Sequence, residues 1–369
     1  MTVMNMMKAS VIFALGFLLG IAVAVIGYGL HKHIDFANKA EHLKDHAVVA
    51  LDRVFRTRVR AAKQEHIVPP APYFPQGAIW TQEISRAPLD PQSSTIIGWL
   101  NDAGGWGYNR MQIDFNIRVM EASANTPFVP VKGLIPGPDS DHPATFPLPA
   151  GGGIEGGSGY QCDTGQGDCH LLVVDRSHGK LYEAYQANYA DSFLNAGFIA
   201  IWDLNRVYPP SGRGDQCSSA DAAGFPIAPL LFNADEIATG SINHAIRFIL
   251  PNPRIRAHVF VHPATHAGGP TGPVSAPPYG VRLRLKASYD VSQLMPEAQV
   301  VARALQKYGM FLSDGGNIAL TAQDDADTKA KYADLDFDSH SLQALKVTDF
   351  EVVDMGTPIR LTFDCVRNK

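Results

Sequence analysis

Three patterns of apolar and polar residues divide the chain. Residues 9–30 run from Ala9 to Leu30 without a charged side chain. About 20 apolar residues span a bilayer as a helix, so residues 1–33 are predicted to be a signal anchor. The alternative is a cleaved signal peptide, with Ala22-Val-Ala24 as its small-residue cleavage site. Over residues 34–67, Phe36, Ala40, Leu43, Ala47, Leu51, Val54 and Phe55 recur at helical steps. That spacing predicts an amphipathic helical stalk. Val68-Pro-Pro-Ala-Pro72 breaks it and opens a Pro-rich linker over residues 68–75.

From there to residue 369 the apolar runs shorten to strand length and are bounded by Gly, Pro, Asn or Asp. Predicted strands are Gln112–Met120, Phe128–Val131, His170–Asp175, Lys180–Gln186, Phe198–Leu204, Ala257–His262, Val281–Ala287, Met310–Ser313, Asn317–Thr321 and Ile359–Cys365. Their spacing predicts a mainly β domain, an antiparallel β-sandwich of jelly-roll type with a few helices. Pro296–Tyr308, stopped by Gly309, is one such helix, and Ser341–Leu345 a second, short one.

Cysteine usage adds a compartment. Four cysteines are present, and Cys162 and Cys169 enclose a short polar loop suited to a disulfide. Cys217 and Cys365 could pair or stay free. Positive residues after the apolar run, such as Arg53, Arg56, Arg58 and Arg60, argue for cytoplasmic retention. The cysteines argue for export, and a long C-terminal domain can translocate despite its charge. An extracytoplasmic protein, periplasmic or secreted, is the expectation. A net charge of −5 without a long basic run disfavours nucleic acid as a partner.

Several segments resemble a group of exported bacterial proteins: Arg213-Gly-Asp-Gln-Cys217, Ser219-Ala-Asp-Ala-Ala-Gly224, Ser241-Ile-Asn-His-Ala-Ile-Arg-Phe248, His262-Pro-Ala-Thr-His266 and Tyr308-Gly-Met-Phe311. The resemblance implies export and supplies no activity.

The richest candidate chemistry lies in a predicted hairpin. If Asp175 pairs with Lys180, His170 faces Tyr185 and Leu172 faces Glu183, and alternation puts His170, Glu183 and Tyr185 on one sheet face. A His/Glu/Tyr group at the end of an apolar sheet suits acid–base work, because a desolvated Glu holds its proton more tightly. The alternative is a self-satisfied buried polar network. Asp221 and Glu236 bracket the apolar stretch Phe225–Phe232, Asp203 ends a strand, and His244 offers a further base. Paired carboxylates suit a glycosidase. Arg282, Arg284 and Lys286 alternate with Val281, Leu283 and Leu285, so they form either a solvated face or a seat for an anionic substrate. His262 and His266 are loop candidates for substrate binding. Asp334, Asp336 and Asp338 start like a calcium loop, but Ser339 stands where Gly is required and Leu345 where Glu is required. No metal or cofactor is expected.

The expected function is an exported carbohydrate-active enzyme, a glycoside hydrolase or polysaccharide lyase acting on an acidic or bacterial cell-envelope polysaccharide. A noncatalytic glycan-binding or structural envelope protein is the alternative. The partners expected are a glycan and, through residues 9–30, a membrane; oligomeric state is open.

Overall fold

The computed structural model describes residues 72–162 and 167–368. The predicted membrane helix and stalk lie outside them. Among the described residues no helix is long and apolar enough to cross a membrane.

The described chain is mostly β, with mixed sheets and few helices. The largest sheet has six strands in the order β1-β14-β10-β13-β12-β15. These are β1 (Ile113–Ile117), β14 (Leu320–Gln323), β10 (Ile246–Leu250), β13 (Met310–Gly315), β12 (Arg282–Leu285) and β15 (Phe350–Val352). A second sheet orders β2 (Val119–Glu121), β5 (Leu171–Asp175), β6 (Lys180–Tyr185) and β9 (Phe198–Asp203). A third orders β4 (Thr145–Pro147), β3 (Phe128–Lys132), β8 (Phe193–Asn195) and β7 (Asn188–Ala190). A short ribbon pairs β11 (Val259–Phe260) with β16 (Ile359–Arg360).

Purely antiparallel pairing holds only for part of this. β5, β6 and β9 pair antiparallel, but β1 with β14, β10 with β13, β2 with β5 and β3 with β8 are parallel. Connection length explains the difference. A hairpin returns the chain antiparallel, whereas residues 251–309 between β10 and β13 are long enough to cross over and re-enter in the same direction.

β5 shows why these residues form a central strand. Leu-Leu-Val-Val-Asp is buried at every position, as expected of a strand covered on both faces. Leu172 and Val174 join the larger core with Leu181 and Trp202. Leu171 and Val173 join the smaller core with Met120, Phe146 and Ile199.

Helix α1 (Ser93–Asp102) buries Ile96, Ile97 and Leu100 at helical spacing. α2 (Ala234–Thr239) begins with a capping box between Asn233 and Glu236 and ends at Gly240. α3 (Pro296–Lys307) matches the predicted helix within a residue. Ser341–Leu345 makes turns instead of the expected helix.

The C-terminal tail is tied down covalently. Both cysteine pairs are bonded, Cys162–Cys169 and Cys217–Cys365. Two disulfides point to an oxidising, extracytoplasmic environment. Arg367 also donates to Asp141 at 2.9 Å. The two bridges close loops of very different length, with sequence separations of 7 and 148. In the chain-entropy account the longer loop stabilises by about 5 kcal/mol and the shorter by roughly half that. The C217S/C365S double variant is therefore expected to lose about twice the stability that C162S/C169S loses in denaturant unfolding. Equal losses would mean that closure of the long loop is not what the tail bridge contributes.

Candidate functional site

The register of the six-stranded sheet lines up one polar row. Asp114 pairs with Thr321, and the Phe248–Leu320 pairing puts Arg247 opposite Thr321. Arg247 in turn pairs with Phe311, and Phe311 with Arg282. Ile246, Phe248 and Leu250 point into the core, which turns Arg247 to the other face of β10.

A guanidinium is charged at any accessible pH, so a buried one must be matched. Arg247 donates through Nε to Asp221 at 2.9 Å, through Nη1 to Thr321 at 2.8 Å and through Nη2 to Asp314 at 3.0 Å. Burial pushes the Asp221 carboxyl up to about 6 and raises Asp314 as well, against the pull of Arg247.

Asp221 belongs to the Ser219–Gly224 loop, which also reaches the second sheet. The Ala220 carbonyl accepts from His170 Nε2 at 3.1 Å, and His170 Nδ1 donates to Glu155 at 2.7 Å. With an acceptor at each nitrogen the ring is an imidazolium. Burial alone would lower its pKa, but the hydrogen bond and charge of Glu155 outweigh this and raise it to about 9. Burial likewise opposes ionisation of Glu155, yet His170 holds that carboxylate below its usual range.

The glycine-rich approach positions Glu155. Its N–H donates to the His170 carbonyl at 2.8 Å, and Gly156 N–H donates to Asn116 of β1 at 2.9 Å. Gly156 takes φ +66°, open to glycine without strain. This turn brings Glu155 to the same side as Asp114.

Most of these groups, though not the predicted Asp221, line a cavity of about 280 Å³. Asp114, Glu155, Asp168 and Asp314 face it, with Arg247, His170, Thr321 and Tyr108. Burial raises the pKa of Asp114, and the neighbouring charge of Glu155 adds to this against an Asn116 hydrogen bond and Arg247. One cavity thus holds a carboxyl biased towards its proton and another biased away from it.

The sequence-derived candidates divide around this cavity. The hairpin register is as expected: Asp175 pairs with Lys180 and Leu172 with Glu183. The His170 and Tyr185 rings lie 5.8 Å apart. His170 lines the cavity, whereas Glu183 does not. Glu183 is fully buried and accepts from Trp202 Nε1 at 2.9 Å and from the N–H groups of Ile227 and Ala228 at 2.8 and 2.9 Å. Burial still pushes it up to about 7. Its contacts are those of a carboxylate seating the start of a buried turn. Glu236 and His244 meet each other at 3.1 Å, with Glu236 closing the α2 capping box. Asp203 pairs with Lys180 at 3.1 Å.

The cationic strand alternates as expected, but its outer face is covered by the protein's own chain. Arg282 donates to the Tyr308 and Gln82 carbonyls at 2.9 and 2.8 Å and stacks on Phe311. Arg284 binds Glu351 at 2.7 Å and the carbonyls of Ile84 and Ala87. Lys286 caps the Thr348 carbonyl at 2.7 Å. His262 pairs with Asp215 at 2.8 Å, and His266 Nδ1 donates to the Ala222 carbonyl at 3.0 Å. Neither histidine lines the cavity. Among the described residues one cluster has metal-ligand proximity, Asp139 with Cys217 and Cys365. Its two sulfurs are bonded to each other.

The charged and aromatic cavity residues that sequence reasoning missed are Tyr108, Asp114, Glu155, Asp168, Arg247 and Asp314. Arg247 carried a usable signal, a lone cation inside the apolar run Ile246–Leu250, because a buried charge has to be matched. Comparison with known protein families, curated proteins and solved structures finds no match to this chain, so its function is argued from this geometry.

The His170–Glu155 pair makes a pH prediction. A histidine raised from 6.5 to about 9 stabilises the fold fully below pH 6.5 and loses that contribution as pH rises through 9. A shift of this size is worth on the order of 3 kcal/mol. Unfolding free energy is expected to decline between pH 6.5 and 9 in the wild type, and much less in His170→Gln. Parallel curves for the two proteins would show that His170 is not the titrating group.

Proposed function

We propose that the protein is an exported carbohydrate-active enzyme, a glycoside hydrolase acting on a bacterial cell-envelope polysaccharide. One observation carries this reading: Asp114 and Glu155 face a single cavity from environments that drive their protonation apart. Carboxyl pairs of that kind supply an acid and a base in one site. In the hydrolytic step Asp114 gives its proton to the glycosidic oxygen as the bond to the anomeric carbon breaks. Glu155 either takes a proton from the attacking water or attacks the anomeric carbon itself, to be released by water in a second step. His170 keeps Glu155 ionised, and Arg247 holds the Asp221 loop and Asp314 in place.

The charge balance narrows the substrate. With Asp114 holding its proton as the acid, Glu155, Asp168 and Asp314 still outnumber Arg247 and His170 around the cavity. Carboxylates repel a uronate, so a neutral or amino sugar suits the site better than an acidic one. The lyase alternative needs a cation free to neutralise a uronate, and Arg282 and Arg284 are engaged with carbonyls and Glu351. The two disulfides support export, and an anchor over residues 9–30 would keep the enzyme at the membrane.

A polysaccharide panel read both by reducing ends and by absorbance of unsaturated uronates tests the reading. Reducing ends are expected from a neutral or amino-sugar polymer. Asp114→Asn is expected to lower turnover at least about 100-fold, the usual scale for loss of a general acid, with melting behaviour unchanged. Unsaturated uronates would instead establish a lyase. Binding without turnover would establish a noncatalytic glycan-binding module.

A further inference from the structure

Tyr108 is 60% exposed, and it is the one large exposed apolar side chain among the described residues that lines the acidic cavity. The others, such as Leu89, Phe128, Val274 and Phe363, lie elsewhere. A single exposed aromatic is ordinary in itself; what sets Tyr108 apart is its place on the cavity lining.

The backbone beneath Tyr108 adds to the case. Tyr108 and Asn109 take φ +52° and +56°, consecutive left-handed residues neither of which is glycine. Such conformations persist only where the surroundings enforce them, and they concentrate at functional sites. Here the surroundings are specific. Arg254 Nη1 donates to the carbonyls of Gly104, Gly105 and Trp106 at 3.3, 3.0 and 2.8 Å. Trp106 is buried against Phe248 and Phe350, and its indole N–H donates to the Leu345 carbonyl at 2.9 Å. Gly107 sits so close to Asn317 that a Cβ would stand 2.0 Å from the Asn317 carbonyl oxygen. Asn317 itself lines the cavity. The loop is therefore held from three sides, yet the side chain at its tip packs against little.

We propose that Tyr108 is the stacking platform for a pyranose ring entering the acidic cavity, and so a specificity-determining residue; the proposal rests on the hydrolase reading above. A pyranose presents C–H groups on its faces and hydroxyls at its rim. An aromatic ring at the mouth takes the face, while Asp114, Glu155, Asp168 and Asp314 take the rim hydroxyls or an amino group. Small-ligand pockets pair apolar and aromatic walls with placed polar groups; this one is more polar than most, and Tyr108 is its aromatic wall. Tyr108 does not exchange protons in this scheme; it orients the ring and selects sugars with an unsubstituted face.

Calorimetric titration with hexasaccharides of glucose, mannose and N-acetylglucosamine tests this, using Asp114→Asn so that binding is read without turnover. In that background Tyr108→Ala is expected to weaken the best hexasaccharide at least tenfold, and Tyr108→Trp to keep it within threefold. In the active enzyme Tyr108→Ala is expected to raise KM with kcat held within threefold. Tyr108→Gly relieves the left-handed backbone, so it is expected to melt at the same or a higher temperature while losing the same affinity. Unchanged affinity in Tyr108→Ala, with the hexasaccharide still bound by Asp114→Asn, would overturn the platform and leave the hydrolase reading intact. No binding of any hexasaccharide together with no turnover on the panel would overturn both.

Discussion

A permanent charge inside a β core sets the terms for the rest of this molecule. Arg247 is 4% exposed, and the desolvation of a guanidinium is tolerable only when each donor finds a partner in good geometry. Its three partners come from three different places: Asp221 from a loop, Thr321 from β14 and Asp314 from the end of β13. Removing any one leaves a charge or a donor stranded, a loss of about 3–5 kcal/mol for a broken buried ion pair. β10, β13, β14 and the Ser219–Gly224 loop are thereby bound to one arrangement.

That arrangement extends to the second sheet through a single loop. Ser219 fixes its turn by donating to the Phe225 carbonyl at 2.6 Å, and Ala223 N–H donates to Ser313 of β13 at 2.9 Å. With the loop so held, the Ala220 carbonyl is available to His170, and the imidazolium this favours is what ionises Glu155. The adjoining Glu183 works in the same direction, since it seats Ile227 and Ala228 just beyond the loop. His170 and Glu183, which alternation places on one sheet face, therefore have separate structural roles. Glu183 anchors the covering segment, and His170 conditions the carboxylate that meets the cavity.

Local alternation made the hairpin legible. Asp175 and Lys180 flank a turn, the apolar pattern fixes the faces, and the register follows. The same logic found α3 and the alternation of Arg282 and Arg284. Cover is what alternation cannot supply. Nothing near Arg284 in sequence announces that residues 82–87 will lie over it and take up its donors. The cavity was hidden for the same reason. Glu155 sits in a glycine-rich stretch that resembles a linker, and only its contacts with His170 and the Gly156 hydrogen bond to Asn116 give it a place. β10 escaped notice because an arginine interrupts its apolar run, although that interruption marks the one position where burial demands compensation.

The split between Asp114 and Glu155 follows from how the two cations are shared out. Arg247 is the closer in register to Asp114, two strands away along the same row. Its donors, however, are already committed to Asp221, Asp314 and Thr321. What reaches Asp114 is a residual attraction, too small to offset burial and the repulsion of Glu155. His170 has no such competition, because its second nitrogen serves a neutral carbonyl and its charge acts chiefly on Glu155. A saturated cation beside one carboxyl and a dedicated cation beside the other shift two carboxyl groups in opposite directions. A metal ion is not required for that asymmetry, and neither is a strongly polar substrate. It is present before anything binds, because it follows from the protein's own charges and burial.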